Sequence, residues 1–400
     1  MLVGHPFFWM LLAAVIAPLL AEVPLGFKVP VVVIEVALGI VIGPQVLGLV
    51  QFEGFIVAMF ALGMAATLFM AGMELDFGEI RGRPLSLATV GWVVSVVLAI
   101  LAVSLLHVIP HVNAPLMVAL ALCTTGLGVL LPVFRDGGHL ETPFGRLMMA
   151  AGTLGEVGPV VAMSLLLSTQ YSTWQEVGFL AVFFMIVAMA FAVGMGARPP
   201  KLVALLARHM HASTQLPVRI SLLMLAALFV LAEEFGFESI FGAFAAGIIV
   251  GQASRGEGGR PLRQKIEAVT FGWFYPFFFV GTGVKFDIGA LGQDLTTALL
   301  VPTFVALFLV VRGAPVYLYR RALVPAQRLP FALASAIPSL SIIVVITEIG
   351  AKTKMMNPDA VAALIGAALL SILLFPTIAG VILERSAVPL TGGESPVSLR

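Results

Sequence analysis

The sequence predicts an all-α integral membrane protein of thirteen transmembrane helices, N-terminus outside and C-terminus inside, built on an inverted repeat. Three observations carry that prediction. The 400 residues are 60% hydrophobic and 11% charged, against roughly 45–50% and 25% in soluble globular chains, and the mean hydropathy is +1.08. A chain this apolar could not cover its own surface in water. Apolar runs of about 20 residues, the length a helix needs to cross the hydrocarbon core, recur from end to end. Basic residues gather on one side of those runs.

The first run, 5–25, has no Lys or Arg ahead of its apolar stretch and no small-residue cleavage site leading into a soluble domain, so it reads as a span and not as a signal peptide. Runs bounded by charges, Pro or Gly follow at 29–50, 54–75, 85–108, 114–134 and 145–168, then at 175–196, which reads as a linking helix. The remaining six are 216–235, 237–252, 268–285, 295–319, 329–349 and 358–383. With thirteen spans, connections after odd-numbered spans hold 18 of the 22 Lys and Arg, and the other side holds only Lys285, Lys352 and Lys354. That bias places the basic side in the cytoplasm. Outer acids such as Glu53, Glu233, Glu238 and Asp287 would gather cations at an outer mouth.

Long-period similarity points to a duplication. Gly39-Ile-Val-Ile-Gly43 matches Gly247-Ile-Ile-Val-Gly251 at an offset of 208. Gly72, Asp76 and Gly78 match Gly283, Asp287 and Gly289 at 211, and Ala-Leu-Ala at 119–121 matches 332–334 at 213. Corresponding spans are seven apart, an odd number, so the two copies would lie in the membrane with opposite orientations, as in many secondary transporters.

Composition excludes cytosolic enzymes, nucleic-acid binders and secreted disulfide scaffolds, and Cys123, the single cysteine, allows no intrachain disulfide. The six histidines form no ligand set, so no metal site beyond a monovalent cation is expected, and no P-loop is present. The expected energy source is a gradient, with no cofactor. Spans five and twelve carry polar interruptions, Cys123-Thr124-Thr125-Gly126-Leu-Gly128 and Ser335-Ala-Ile-Pro338-Ser339-Leu-Ser341. Paired interruptions mark a midplane site, although Gly and Ser also serve simply to pack helices closely.

Ionisable residues deep in a span cost at least about 2.5–3.5 kcal/mol on insertion scales, so each is a candidate site. Glu156 lies about eleven residues into span six, roughly 16 Å at 1.5 Å per residue, among Gly155, Gly158 and Pro159. Arg312 is the basic residue well inside a span, and the two are expected to face one cavity and compensate each other. Glu35 shares a helix face with Gly39 and Gly43 and suggests packing or gating. Glu74, Glu233, Glu234 and Glu348 read as solvated span-end acids, and the aromatic run Phe271–Phe279 reads as facing lipid or a partner subunit.

At these residues the chain resembles the monovalent cation:proton antiporters of the NapA-like and Kef-like group. The matching stretches are Val29–Glu35 with Gly39–Gly48, Leu68–Asp76, Thr124–Pro132 and Phe278–Asp287. The resemblance implies an NhaA/NapA-type fold and a homodimer, with spans five and twelve crossing as broken helices inside a mobile core. It implies a dimerisation domain at 1–80 and 216–290, a core at 85–168 and 295–385, and a short cytoplasmic tail, 386–400, too short for a nucleotide-binding regulatory domain. Family members carry an Asp preceded by Asp, Asn or Gln in span six. Aligning on Gly145-Arg146 and Pro159 puts Gly155 and Glu156 at those two places, a departure from the pattern, while Arg312 takes the place of the family's basic residue in span eleven.

The expected function is exchange of a monovalent cation, Na⁺ ahead of K⁺ or Li⁺, for H⁺ in the bacterial cytoplasmic (inner) membrane. Both compete at Glu156, with Thr124, Thr125, Ser339 and Ser341 supporting the ion. One titrating carboxylate predicts electroneutral exchange. The rival reading is cation-coupled symport of a small organic anion anchored on Arg312.

Overall fold

A computed structural model describes residues 4–23, 29–75, 82–106, 114–136, 142–167, 213–235, 238–255, 259–292 and 295–386. Every regular element among them is helical. The first group in chain order is α1 (Gly4–Ala21), α2 (Val31–Ile42), α3 (Phe55–Glu74), α4 (Arg83–Leu106), α5 (Pro115–Leu122), α6 (Leu127–Asp136) and α7 (Pro143–Leu167). After the undescribed 168–212 come α8 (Leu216–Glu234), α9 (Ser239–Ala253), α10 (Arg260–Val269), α11 (Tyr275–Lys285) and α12 (Ile288–Gly292). The last four are α13 (Leu295–Phe308), α14 (Pro325–Ser335), α15 (Leu340–Lys352) and α16 (Pro358–Ser386). α2 opens on Val-Val-Val-Ile, a β-branched run that disfavours helix in water. In lipid only a helix satisfies the backbone of a lone segment, so the solvent overrides the propensity.

Helices lie on twelve of the thirteen apolar stretches marked above, and 175–196 falls outside the described residues, as do Lys28, Asp76, Gly78, Arg81 and Asp294. Among the described residues six helical stretches are long and apolar enough to cross a membrane, including Phe55–Glu74, Leu295–Tyr319 and Pro325–Lys352, and four shorter apolar helices accompany them. The chain is a multi-pass integral membrane protein. Span ten differs from its expected limits: the helix starts at Arg260 and runs through a π-turn at Thr270–Phe274 into α11. The aromatic run is also corrected. Phe277, Phe278 and Phe279 are buried, stacking on Phe7, Phe55 and Phe60, and only its start, Phe271 and Trp273, is exposed. A single run on a helix points to all sides, so position alone could not assign it one face.

The three offsets reappear in the helix boundaries. α2 and α9 begin 208 residues apart, at Val31 and Ser239. α3 and α11 end 211 apart, at Glu74 and Lys285, with the same extended cap, Leu75 and Phe286 donating to the carbonyls of Gly72 and Gly283. α5 and α14 end 213 apart, and α6 and α15 restart 213 apart, at Leu127 and Leu340.

Packing sorts the helices into two groups. In one, α1, α2, α3, α8, α9 and α11 pack together, and in the other α4–α7 pack with α13–α16. Within the first group, close approach rests on glycine. A Cβ on Gly39 would lie 2.1 Å from the Val280 carbonyl oxygen, and one on Gly283 would lie 2.1 Å from that of Val36. Gly72 and Gly247 make the same backbone contact between α3 and α9, at 2.2 and 1.9 Å from the carbonyl oxygens of Phe244 and Phe69. The two groups meet where α15 packs on α3, α7 on α9 and α16 on α2. Between them lies a cavity of about 530 Å³, lined from both sides by Phe60, Lys285, Asp287, Thr347, Glu348 and Ile365. An ion pair between Lys285 of α11 and Glu348 of α15 crosses it, with Lys352 3.7 Å from the other Glu348 oxygen. Glu348 is therefore a largely buried, doubly paired acid and not a solvated one.

Gly39→Ala or Gly247→Ala should cost about 1–3 kcal/mol by overpacking against backbone that cannot step aside. Gly272→Ala, where nothing lies within 4 Å, should be near neutral. Thermal midpoints of the three variants in detergent check this.

Candidate functional site

Helices α5 and α14 both stop inside the protein, and each stop frees backbone groups that lipid cannot satisfy. The local chemistry explains why. Thr124-Thr125-Gly126 offers competing side-chain bonds and a residue without Cβ, and Pro338 has no N–H to continue a helix. The two breaks cross and satisfy each other. Gly126 N–H donates to the Ile337 carbonyl at 2.9 Å, and Ser339 N–H reaches Thr124 Oγ1 at 3.4 Å. A Cβ at Gly126 would meet the Pro338 carbonyl oxygen at 2.8 Å, so the crossing needs a glycine there. Thr125 Oγ1 donates to the Ser335 carbonyl at 2.6 Å, and Thr124 Oγ1 to that of Ala121 at 2.8 Å.

Helix α7 runs beside the crossing. Pro159 lacks the N–H that would bond the carbonyl four residues back, and that carbonyl, on Gly155, instead accepts from Thr125 N–H at 3.0 Å. One residue on, Glu156 is 3% exposed and its Oε1 accepts from Leu127 N–H at 3.0 Å, at the first residue of α6. Its other oxygen, Oε2, is buried without a partner. A helix N-terminus favours an anion by up to about 2 kcal/mol, whereas burying a charged carboxylate costs several. Oε2 is thus the atom of the site whose burial nothing offsets.

Arg312 sits in a π-turn, Leu309–Gly313, and is 4% exposed. Its expected pairing with Glu156 is not what the structure holds. Its Nε donates to Thr125 Oγ1 at 2.8 Å, Nη2 to the Ala151 carbonyl at 2.9 Å and Nη1 to Ser95 Oγ at 3.3 Å. The cause is Gly155. A Cβ there would lie 2.6 Å from Thr125 Cβ and 2.8 Å from Arg312 Nη2, so the missing side chain is the space in which the guanidinium and the threonine meet.

Thus Glu156, Gly155, Thr124, Thr125, Ser339 and Arg312 form one cluster. Ser341 is partly exposed in the first turn of α15 and shares no hydrogen bond with them. Glu35 is buried in α2 beside the glycine seam, apart from the bonded cluster. The Thr124 and Thr125 hydroxyls are already committed to the crossing. Glu74, expected to be solvated, is partly buried and within electrostatic range of Glu156, and Tyr275 lies within electrostatic range of Glu35, Glu74 and Glu156. Ser95 and the Ala151 carbonyl escaped the sequence reading because a single neutral oxygen on a helix carries no pattern.

The family model for "Sodium/hydrogen exchanger, transmembrane" matches residues 11–385. The chain is 23% identical over 382 residues to a Bacillus subtilis protein named "Putative Na(+)/H(+) antiporter YjbQ", covering 92% of this chain and 61% of that one. It is 25% identical over 303 residues to the Na(+)/H(+)-K(+) antiporter GerN of Bacillus cereus, covering 72% and 74%, and 26% identical over 310 residues to Cation/H(+) antiporter 18 of Arabidopsis thaliana, covering 72% and 38%.

Thr125→Val removes the hydroxyl that holds both Arg312 and the end of α14. It should destabilise by about 1–3 kcal/mol, as leaving buried partners unsatisfied does, while Thr125→Ser should retain most of the stability. Thermal unfolding of the two variants in detergent tests the bond.

Proposed function

Because the chain belongs to the sodium/hydrogen exchanger family, we propose that it exchanges a monovalent cation for H⁺ across a bacterial cytoplasmic membrane, with Na⁺ ahead of K⁺ and Li⁺. Both ligands compete for Glu156. The observation that carries this reading is the buried, unpartnered Oε2 at a helix N-terminus. It is a site that must be neutralised and that either a proton or a cation can neutralise. Thr124, Thr125 and Ser339 support it by holding the broken helices in place, and Ser341 lies two residues on. Glu35 packs at the glycine seam and guards the approach with Glu74 and Tyr275.

The repeated boundaries at 208, 211 and 213 residues support an inverted repeat within thirteen helices, and the charge bias supports an outer N-terminus. The group around α2, α3, α9 and α11 would form the dimerisation domain (1–80 and 216–290), with 175–196 as the link to the core (85–168 and 295–385). Sliding of the core against its partner would give elevator-type alternating access, a motion supported by the cavity between the groups and by the side-chain ion pair that crosses it. Exchange is electroneutral, because Arg312 is held by neutral oxygens and keeps its charge whichever ligand Glu156 carries. The same engagement argues against symport of an organic anion, for which Arg312 would have to be available.

In proteoliposomes, Glu156→Gln should abolish Na⁺-dependent dissipation of a pH gradient; full activity in that variant would overturn the assignment. With wild type, the half-saturating Na⁺ should rise about tenfold per unit of falling pH once the acid is mostly protonated. No steady current should accompany exchange on a supported membrane.

A further inference from the structure

We propose that Thr153 is a second oxygen ligand of the transported cation, acting with Oε2 of Glu156; this rests on the reading of Glu156 as the exchange site. Thr153 is 1% exposed and its Oγ1 has no hydrogen-bond partner. That is unusual within this chain. Several buried helical hydroxyls elsewhere return their proton to a carbonyl one turn back: Thr67 to Gly63 at 2.7 Å, Ser221 to Pro217 at 3.0 Å, Thr282 to Phe278 at 2.8 Å. Among the described residues only Thr153 and Ser371 have a buried hydroxyl left open. Thr153 and Glu156 are three residues apart on α7, so they are neighbours on one helix face, with Cβ atoms about 5–6 Å apart.

The alternative ligands are already occupied. Thr125 Oγ1 donates to Ser335 and accepts from Arg312, and Thr124 Oγ1 donates to Ala121 and accepts from Ser339. Each keeps one lone pair, but its orientation is fixed by the two bonds it already makes at the helix crossing. The two open buried oxygens on α7 lose nothing by binding an ion, and a hard alkali cation takes oxygen ligands. A protonated Glu156 needs only a proton on Oε2, whereas a cation gains from the hydroxyl as well. Thr153 therefore sets cation affinity separately from proton affinity.

The test is exchange in proteoliposomes by Thr153→Val, which keeps the shape and removes the oxygen, with Thr153→Ser as the restoring variant. The expected result is a rise of about tenfold or more in half-saturating Na⁺ for valine. Maximal rate and the proton affinity extrapolated to zero Na⁺ should be retained, and serine should return near wild type. An unchanged half-saturating Na⁺ in Thr153→Val overturns the proposal, as does a gain in thermal stability without any change in affinity. Should valine fail to fold, Thr153→Ala gives the same readout. Glu156→Gln run in parallel separates the two ideas: loss of exchange there with unchanged affinity in Thr153→Val removes Thr153 alone, while full exchange in Glu156→Gln removes the underlying reading.

Discussion

A helix that ends in the middle of a bilayer leaves N–H and C=O groups with no water to receive them, and each one left open costs several kcal/mol. This chain breaks two helices at depth, at 123–126 and 336–339. Everything near the site follows from how those groups are satisfied. Each break serves as the other's partner through Gly126, Ile337, Thr124 and Ser339. The remaining demand is met by α7, whose own interruption at Pro159 releases the Gly155 carbonyl to Thr125. Three interruptions thus become one hydrogen-bonded knot, and none is tolerable without the others.

The knot also separates charge. Glu156 caps the start of α6, the positive end of a helix dipole. Arg312 stands one hydroxyl away from the last carbonyl of α14, through Thr125, at a negative end. A direct ion pair would cancel both charges and leave the helix ends uncompensated. Here each residue has partners of its own, Leu127 N–H for the acid and the Thr125, Ser95 and Ala151 oxygens for the base, so neither depends on the other for compensation. Gly155 makes this possible, since any side chain at that position would push Arg312 off the threonine.

Much of the fold was legible because its signals are repetitive. Apolar runs announce spans whatever they pack against, and offsets near 210 survive in the boundaries of α2 and α9, α3 and α11, α5 and α14. The breaks were legible too, because Thr, Gly and Pro act on their own backbone. What stayed hidden depends on direction in space. Arg312 could be seen to be buried, but its bonds run to residues 161 to 217 positions away, and pairing it with the nearest interior acid was the simplest guess. Glu74 and Glu348 look alike as span-end acids; one lies within electrostatic range of Glu156 and the other is clasped by two lysines. The role of Gly155 could not be read, since a missing side chain carries no pattern.

The same contacts limit which motions the molecule can make. Within the first helix group, glycine seams bring backbone against backbone, and sliding along them would drive Cα atoms into carbonyls. Those helices must move as one body. The knot binds α5, α6, α7, α14 and α15 into a second body, because shifting one of them strands backbone groups of another. Between the bodies, by contrast, lie a cavity and an ion pair whose lysine also rests 4.8 Å over the Phe52 ring. That link joins side chain to side chain, whereas the knot is held by backbone groups that lipid cannot satisfy. Under the elevator-type motion proposed above, displacement would concentrate at that boundary, and Glu156 would travel with the second body while its hydrogen bonds stay intact.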